Sequence, residues 1–195
     1  LASQIAQQIS SSQYGGQSLY ASHLSPFVEE SRNFWRNEFP KMGIDPTEDN
    51  IEKATIRDIE DGIQTLMYQL NSLQGTNGQA PFITIFMYLD DVPEGKSRDD
   101  LALVCKKIFE QRILGLKDKN GVYVSPAFPK LIYVLDEDNI HDDSPYFWLT
   151  ELAAKCTANR MVPDYISAKV MKELKDGNVY SSMGCRSFLT VAYVD

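Results

Sequence analysis

The first third of the chain alternates apolar and polar residues with the period of an α-helix. The stretch "FVEESRNFWRNEF" follows Ser25 and Pro26, a capping residue and a proline at the first helical position. A second start signal, Asp45, Pro46 and Glu48 in capping-box form, precedes a longer helical stretch. The apolar stripe of this stretch has spacings of three and four and consists of Ile59, Ile63, Leu66, Met67, Leu70 and Leu73. The pattern predicts amphipathic helices whose apolar faces pack into a core.

Beyond the turn cluster "GTNGQAP", the pattern changes to short runs rich in β-branched and aromatic residues. Two runs indicate buried strands of a parallel sheet: "FITIFMYL" (82–89), which is apolar on both faces, and the run around Leu131 to Leu135 in "PKLIYVLDED". "PDYIS" is a shorter third candidate, followed by the helical "AKVMKELKDG". Helical patterns that begin at Ser97 and at Pro145 separate the three strands. This order predicts a βαβαβ unit with right-handed crossovers and parallel strands.

Three parallel strands leave two open edges, and the residues "VAYVD" are themselves strand-like. A long apolar edge exposed to solvent promotes aggregation. We therefore expect the 195 residues to be a section of a larger α/β sheet or barrel.

The composition limits the classes of partner. The chain carries a net charge of −8, so it lacks the basic stripe that a polymeric nucleic acid requires. A single nucleotide is not excluded, because backbone N–H groups at a helix start bind phosphate. No apolar run approaches the roughly 18 residues that cross a membrane, and the first residues lack the pattern of a signal peptide. These features predict a cytoplasmic protein with neither a membrane nor a polymeric nucleic acid as partner.

The three cysteines are widely spaced and form no CxxC pair, which disfavours a disulfide framework or a zinc site and favours a reducing compartment. Cys105 and Cys156 fall on helical apolar stripes, so we predict that they pack in the core. Cys185 lies instead in "YSSMGCRSFL", which has neither a helical nor a strand period. On this loop position alone, a solvent-exposed thiol without a chemical role is the simpler interpretation.

Two other groups of polar residues are expected at the surface, and we predict no metal site. His23 and His141 are far apart in the sequence, and neither has an obvious partner for a metal or general-base role. The acidic stretch "DEDNIHDD" (136–143) does not have the spacing of a calcium loop and is expected to be a solvated turn.

Four stretches, in this order along the chain, carry a family resemblance: "SSQYGGQS" (11–18), "QAPFITI" (79–85), "PDYISAKVMKEL" (163–174) and "MGCRSFL" (183–189). Together they resemble the anaerobic, glycyl-radical (class III) ribonucleoside-triphosphate reductases. The last two at this separation are the most specific signal, whereas "QxPF" alone is weak. The chain departs from the family pattern in "GTNG", where similar members often have an arginine or a serine, and in "IFMYLD", where many have a polar strand ending.

The resemblance implies that Cys185 is the thiyl-radical cysteine at the tip of a finger loop inside a ten-stranded α/β barrel. The active-site neighbours that complete the motif, with no separate catalytic step assigned, are Met183, Gly184, Arg186 and Ser187. Gln13 and Tyr14 are candidates for contact with the base of a nucleotide effector. The predicted organisation is one section of the barrel domain, mainly helical over 1–75, βαβαβ over 76–176 and the finger loop over 177–195.

The implied activity is anaerobic reduction of ribonucleoside triphosphates to 2′-deoxyribonucleoside triphosphates, in which a Cys185 thiyl radical removes the ribose 3′-hydrogen. The glycyl radical and a structural zinc are expected in the complete protein outside this chain, with formate or a thiol as reductant. The expected partners are dNTP and ATP effectors, a radical-SAM activating enzyme and a second subunit of a homodimer. The 195 residues alone are expected to be inactive.

Two other functions are weighed against this one. A nucleotide-effector-binding and dimerisation module without chemistry of its own would use the helices of the first third and would tolerate replacement of Cys185. A glycyl-radical enzyme that acts on a non-nucleotide is disfavoured, because such enzymes usually have adjacent cysteines and Cys185 has none beside it.

Overall fold

The computed structural model describes residues 1–11, 16–74, 78 and 81–182 of the chain. The helices in these ranges are α1 (Ala2–Ser11), α2 (Pro26–Lys41), α3 (Glu48–Ser72), α4 (Lys96–Leu114), α5 (Phe147–Arg160) and α6 (Ala168–Leu174). The strands are β1 (Gln17–Tyr20), β2 (Ile83–Met87), β3 (Leu116–Lys117), β4 (Tyr123–Val124), β5 (Lys130–Leu135) and β6 (Asp164–Ser167). Short 3-10 turns occupy Ala21–His23 and Leu89–Asp91.

The helices begin close to the predicted start signals. α2 has Pro26 at its first turn, as the sequence predicted. α3 begins at Glu48, but its cap is Thr47 and not the predicted Asp45: the extended backbone of Thr47 lets its hydroxyl oxygen accept a hydrogen bond from Asn50 N at 3.3 Å. Gly95, at a φ of 91°, precedes α4, so Ser97 lies inside that helix and does not cap it.

The main sheet is parallel, with the strand order β1-β2-β5-β6. β2 pairs in parallel with β5, with Ile85 opposite Leu131, which confirms the predicted pairing of these two segments. β6 pairs with the other side of β5, with Val134 opposite Ile166. The chain is therefore an α/β protein with a parallel sheet.

Two pairings were not predicted. β1 lies within the first third, which was expected to be mainly helical, and pairs in parallel with β2. It has only four residues, too few to show the period of a strand. β3 and β4 form an antiparallel hairpin, and their two residues each are too few to show a strand period.

The crossover helices α3, α4 and α5 cover the same face of the sheet, which we call the helix face. Their buried side chains form one core with alternate residues of the strands, among them Ile85 and Leu131. Cys105 and Cys156 are both 0% exposed in this core, which confirms that they are packing residues. The opposite, inner face carries a smaller cluster made of Phe86, Tyr88, Ile132, Val134 and Ala168.

Two further observations concern the histidines and the apolar character of the helices. His23 and His141 are exposed, as predicted. Within the described ranges, no helix combines the length and the apolar character needed to cross a membrane.

Candidate functional site

The residues predicted for the site lie outside those that the structure describes. They are Cys185, Met183, Gly184, Arg186 and Ser187 in the C-terminal motif, and Gln13 and Tyr14 near the N-terminus. Their roles therefore stay predictions. The structure does describe the polypeptide that leads to the motif, residues 178–182, and the sheet face that this polypeptide contacts.

The inner face presents polar side chains near the amino ends of its strands and apolar ones further along. The polar row, in neighbouring positions of β1, β2 and β5, consists of Ser18, Thr84 and Lys130. Since side chains alternate between faces along a strand, the next row on the same face consists of Tyr20, Phe86 and Ile132. The Tyr20 and Phe86 rings meet edge-on, with centroids 5.1 Å apart.

Residues 178–182 return from α6 to β1 across this face. Val179 packs on the apolar cluster of the inner face. The backbone N–H of Ser181 donates to Tyr20 Oη at 3.0 Å, and the Ser181 hydroxyl donates to Ser18 Oγ at 3.0 Å. Ser18 Oγ in turn donates to the carbonyl oxygen of Ser182 at 3.2 Å. We call this group, Ser18, Tyr20, Ser181 and Ser182, the hydroxyl latch.

Two buried hydroxyls at this face have no hydrogen-bond partner among the residues that the structure describes. Thr84 Oγ1 belongs to a residue that is 0% exposed, and Ser182 Oγ to one that is 1% exposed. A buried polar group without a partner costs roughly 1–3 kcal/mol, so such groups are uncommon in folded proteins. The inner face therefore has hydrogen-bonding capacity that the described protein atoms do not use.

Charged side chains converge where β2 and β5 end, because the carboxyl ends of parallel strands meet at the same edge of a sheet. This carboxyl-edge network consists of Tyr88, Asp90, Arg98, Asp136, Asp138 and Lys172. Tyr88 Oη donates to Asp136 Oδ2 at 2.9 Å, and Lys172 Nζ donates to the same oxygen at 3.1 Å. Arg98 donates to Asp90 at 2.7 Å and lies 3.4 Å from Asp138 Oδ2.

Burial and pairing set the protonation states in this network. Burial, together with the hydrogen bond to Asp136, raises the pKa of Tyr88, so its phenol remains a donor at neutral pH. Burial opposes ionisation of Asp136, but hydrogen bonds from the Glu137 backbone, Lys172 and Tyr88 keep the pKa of Asp136 below its ordinary value. Burial raises the pKa of Asp138.

The predicted solvated turn is wrong for part of the acidic stretch. The side chains of Asp136 and Asp138 are only 16% and 15% exposed, because Lys172 and Arg98 cover them from α6 and α4. The network ties the turn after β2 to the turn after β5. In the described part of the chain, no group of three or more His, Cys, Asp or Glu side chains has an arrangement that could hold a metal ion.

The two cysteines that the structure describes are unsuited to thiol chemistry. Burial raises the pKa of Cys105, and it raises that of Cys156 to about 11. Both thiols are therefore protonated at neutral pH and have no access to solvent.

Sequence reasoning did not find the hydroxyl latch or the carboxyl-edge network. The alternation of Ser18 and Tyr20 about Leu19 was a signal for a strand with a hydroxyl-bearing face, but three residues do not distinguish a strand from a loop. Nothing in the sequence indicates that Ser181 meets β1, since 161 residues separate it from Tyr20.

These features first define a class of protein. It is an α/β protein with a parallel sheet whose crossover helices α3, α4 and α5 lie on one face, and whose inner face carries hydroxyls and contacts the segment before the cysteine motif. The family then follows from comparison with known proteins. The chain matches the family described as anaerobic ribonucleoside-triphosphate reductase over residues 1–193. It belongs to that family.

The curated relatives carry the same description. The anaerobic ribonucleoside-triphosphate reductase of Enterobacteria phage T4 is 35% identical over 193 residues, which cover 96% of this chain and 30% of the relative. That of Escherichia coli (strain K12) is 32% identical over 191 residues, covering 96% and 25%. That of Haemophilus influenzae is 30% identical over 189 residues, covering 95% and 25%. The chain thus spans between a quarter and a third of the length of these relatives.

Proposed function

We propose that the chain is a central section of the catalytic polypeptide of an anaerobic ribonucleoside-triphosphate reductase. The observation that carries this proposal is the family match over residues 1–193, which includes the "MGCRSFL" motif with Cys185. The activity is the reduction of ribonucleoside triphosphates to 2′-deoxyribonucleoside triphosphates. The substrates, the effectors, the activating enzyme and the second subunit belong to the complete protein.

We also propose that the sheet is part of the wall of a ten-stranded α/β barrel. Two observations support this: the strands follow one another in chain order, and the crossover helices α3, α4 and α5 lie on one face. A doubly wound sheet would have helices on both faces and a reversal of strand order. In a barrel, the inner face with its unpaired hydroxyls would line the interior, where the substrate binds.

The chemistry assigned to this chain belongs to Cys185. Its thiol gives a hydrogen atom to the glycyl radical of the complete protein, which becomes an ordinary glycine. The sulfur radical then takes the hydrogen atom from C3′ of the ribose, and the 2′-hydroxyl gains a proton and leaves as water. Formate, oxidised to carbon dioxide, or a pair of thiols, oxidised to a disulfide, supplies the two electrons for the new C2′–H bond. Cys185 finally returns the hydrogen atom to C3′.

Substitution of Cys185 tests this proposal in the complete, activated protein. Cys185→Ser and Cys185→Ala should both reduce deoxynucleotide formation to background. The O–H bond of serine is too strong for its hydrogen atom to be transferred to the glycyl radical, and alanine has neither a thiol nor a hydroxyl hydrogen. Glycyl-radical formation, measured by electron paramagnetic resonance, should be unchanged, since the activating enzyme oxidises the glycine separately. The loss should appear in kcat and not in nucleotide affinity.

The matched control is Cys156→Ala, which removes a thiol from the helix-face core and should retain activity. Appreciable deoxynucleotide formation by Cys185→Ser would exclude the radical role of this cysteine. The alternative, an effector-binding and dimerisation module without chemistry of its own, would then take its place.

A further inference from the structure

We infer that Ser18 and Tyr20 of β1 are positioning residues for Cys185, acting through the hydroxyl latch; this inference rests on the proposed function. Three hydrogen bonds fix Ser181 and Ser182 to β1, at 3.0, 3.0 and 3.2 Å. Cys185 follows Ser182 by three residues, which span at most about 11 Å in any conformation. The latch thus fixes the backbone directly before the cysteine motif.

The latch is attached to a buried part of the fold. β1 pairs with β2, whose five residues are all buried, and the Tyr20 ring packs edge-on against Phe86. Val179 anchors the same segment to the inner-face cluster. On the other side, the connection from α6 is held to that helix by hydrogen bonds from Gly177 N to the Lys172 carbonyl at 2.8 Å and from Tyr180 N to Met171 Sδ at 3.4 Å. β1 contacts the residues that come next, Ser181 and Ser182.

Hydrogen-atom transfer requires the sulfur to be held close to the C3′ hydrogen, and misplacement by about 1 Å can reduce a rate by roughly 100-fold. The latch hydroxyls bind the protein backbone and a neighbouring serine, so their loss should affect the chemical step more than substrate affinity. In the complete protein, Tyr20→Phe keeps the ring contact with Phe86 and removes only the acceptor for Ser181 N. Ser18→Ala removes the hydroxyl that accepts from Ser181 Oγ and donates to the Ser182 carbonyl, whereas Ser18→Thr keeps a hydroxyl on a residue suited to a strand.

Two measurements test the inference. Before activation, iodoacetamide should label Cys185 several-fold faster in Tyr20→Phe and Ser18→Ala than in the wild type, as mapped by peptide mass spectrometry. After activation, the same variants should lose roughly 10- to 100-fold in kcat, with KM within about twofold and an unchanged glycyl-radical yield. Ser18→Thr should behave like the wild type in both measurements.

Matched controls separate positioning from general stability. Tyr165→Phe removes a tyrosine hydroxyl from β6 of the same sheet, where it lies 2.7 Å from Thr157 Oγ1, and Ser31→Ala removes an exposed hydroxyl that donates to Asp58. Both should leave labelling and kcat unchanged. Wild-type labelling and kcat in Tyr20→Phe and Ser18→Ala, or an equal loss in Tyr165→Phe, would overturn the inference. If the wild type itself forms no deoxynucleotide, the proposed function fails, while the labelling rates still decide whether the latch controls Cys185.

Discussion

At the scale of single residues, Gly115 is a position that only glycine fits. It lies directly after α4 with a φ of +86°, a region that L side chains rarely adopt. A Cβ atom at this position would lie 2.5 Å from the carbonyl oxygen of Val124 in β4. The obstructing atom belongs to the backbone, so it does not move aside as the end of a flexible side chain would.

Gly115→Ala should therefore lower the free energy of unfolding by about 1–3 kcal/mol, the cost of a strained backbone conformation, with the contact to Val124 adding to it. Gly62→Ala is the matched control. Gly62 lies in the interior of α3 with open space where its Cβ would be, so alanine should raise the free energy of unfolding by up to about 1 kcal/mol. Urea denaturation followed by circular dichroism compares the variants, and effects of the same sign would contradict this explanation.

The sequence predicted individual residues well where a local pattern determines their environment. Cys105 and Cys156 were assigned to the core from helical stripes alone, and they are buried. Asp136 and Asp138 were expected in solvent, because the sequence does not show that cations from two other helices reach them. The same limit applies to the site, since the latch joins β1 to a segment that lies more than 160 residues further along the chain.

At the scale of elements, a buried ion pair joins three helices. The Arg32 guanidinium of α2 makes two hydrogen bonds with the Asp100 carboxylate of α4, at 2.6 and 2.8 Å, and its Nε donates to Glu52 of α3 at 2.8 Å. The side chains of Arg32 and Asp100 are 8% and 7% exposed. The hydrogen bonds with Asp100 raise the pKa of Arg32 above its already high ordinary value, so the guanidinium remains charged.

Removal of one partner should destabilise the helices more than removal of both. Asp100→Leu leaves a buried guanidinium whose remaining partners are the more exposed Glu29 and Glu52, and it should lower the free energy of unfolding by about 3–5 kcal/mol. Arg32→Met combined with Asp100→Leu replaces the pair by apolar side chains of similar size and should recover most of that loss. A double-mutant cycle from urea denaturation measures the coupling, and additive effects of the two substitutions would argue against a closely coupled pair.

Long helices and strands could be predicted from the sequence, whereas the shortest strands could not. α2 and α3 have 16 and 25 residues, and their apolar stripes repeat often enough to be recognised. β2 and β5 were recognised because both of their faces are apolar. β1 has four residues, and β3 and β4 have two each, so their existence depends on the partner strand more than on their own sequence.

At the scale of the whole molecule, the main sheet of the described residues has β1 and β6 at its edges. The sequence predicted that the strands are parallel, because alternating strand and helix patterns require crossover connections. It did not determine whether the sheet continues, because the alternation of strands and helices is the same in an open sheet and in a barrel. Four strands are consistent with part of a barrel wall. If they belong to a barrel, further strands pair with the edge strands β1 and β6.

Hydrogen exchange in the complete protein tests that statement. An edge strand has backbone N–H groups that point away from its only neighbour, and these exchange quickly when they face solvent. If the barrel is formed, further strands pair with β1 and β6, and the outward amides of β6 should exchange as slowly as those of β2, which is flanked on both sides. The exposed hairpin strand β4 provides the fast reference. Fast exchange of every second amide in β6, with slow exchange throughout β2, would mean that the sheet ends at β6, and the barrel proposal would then be wrong.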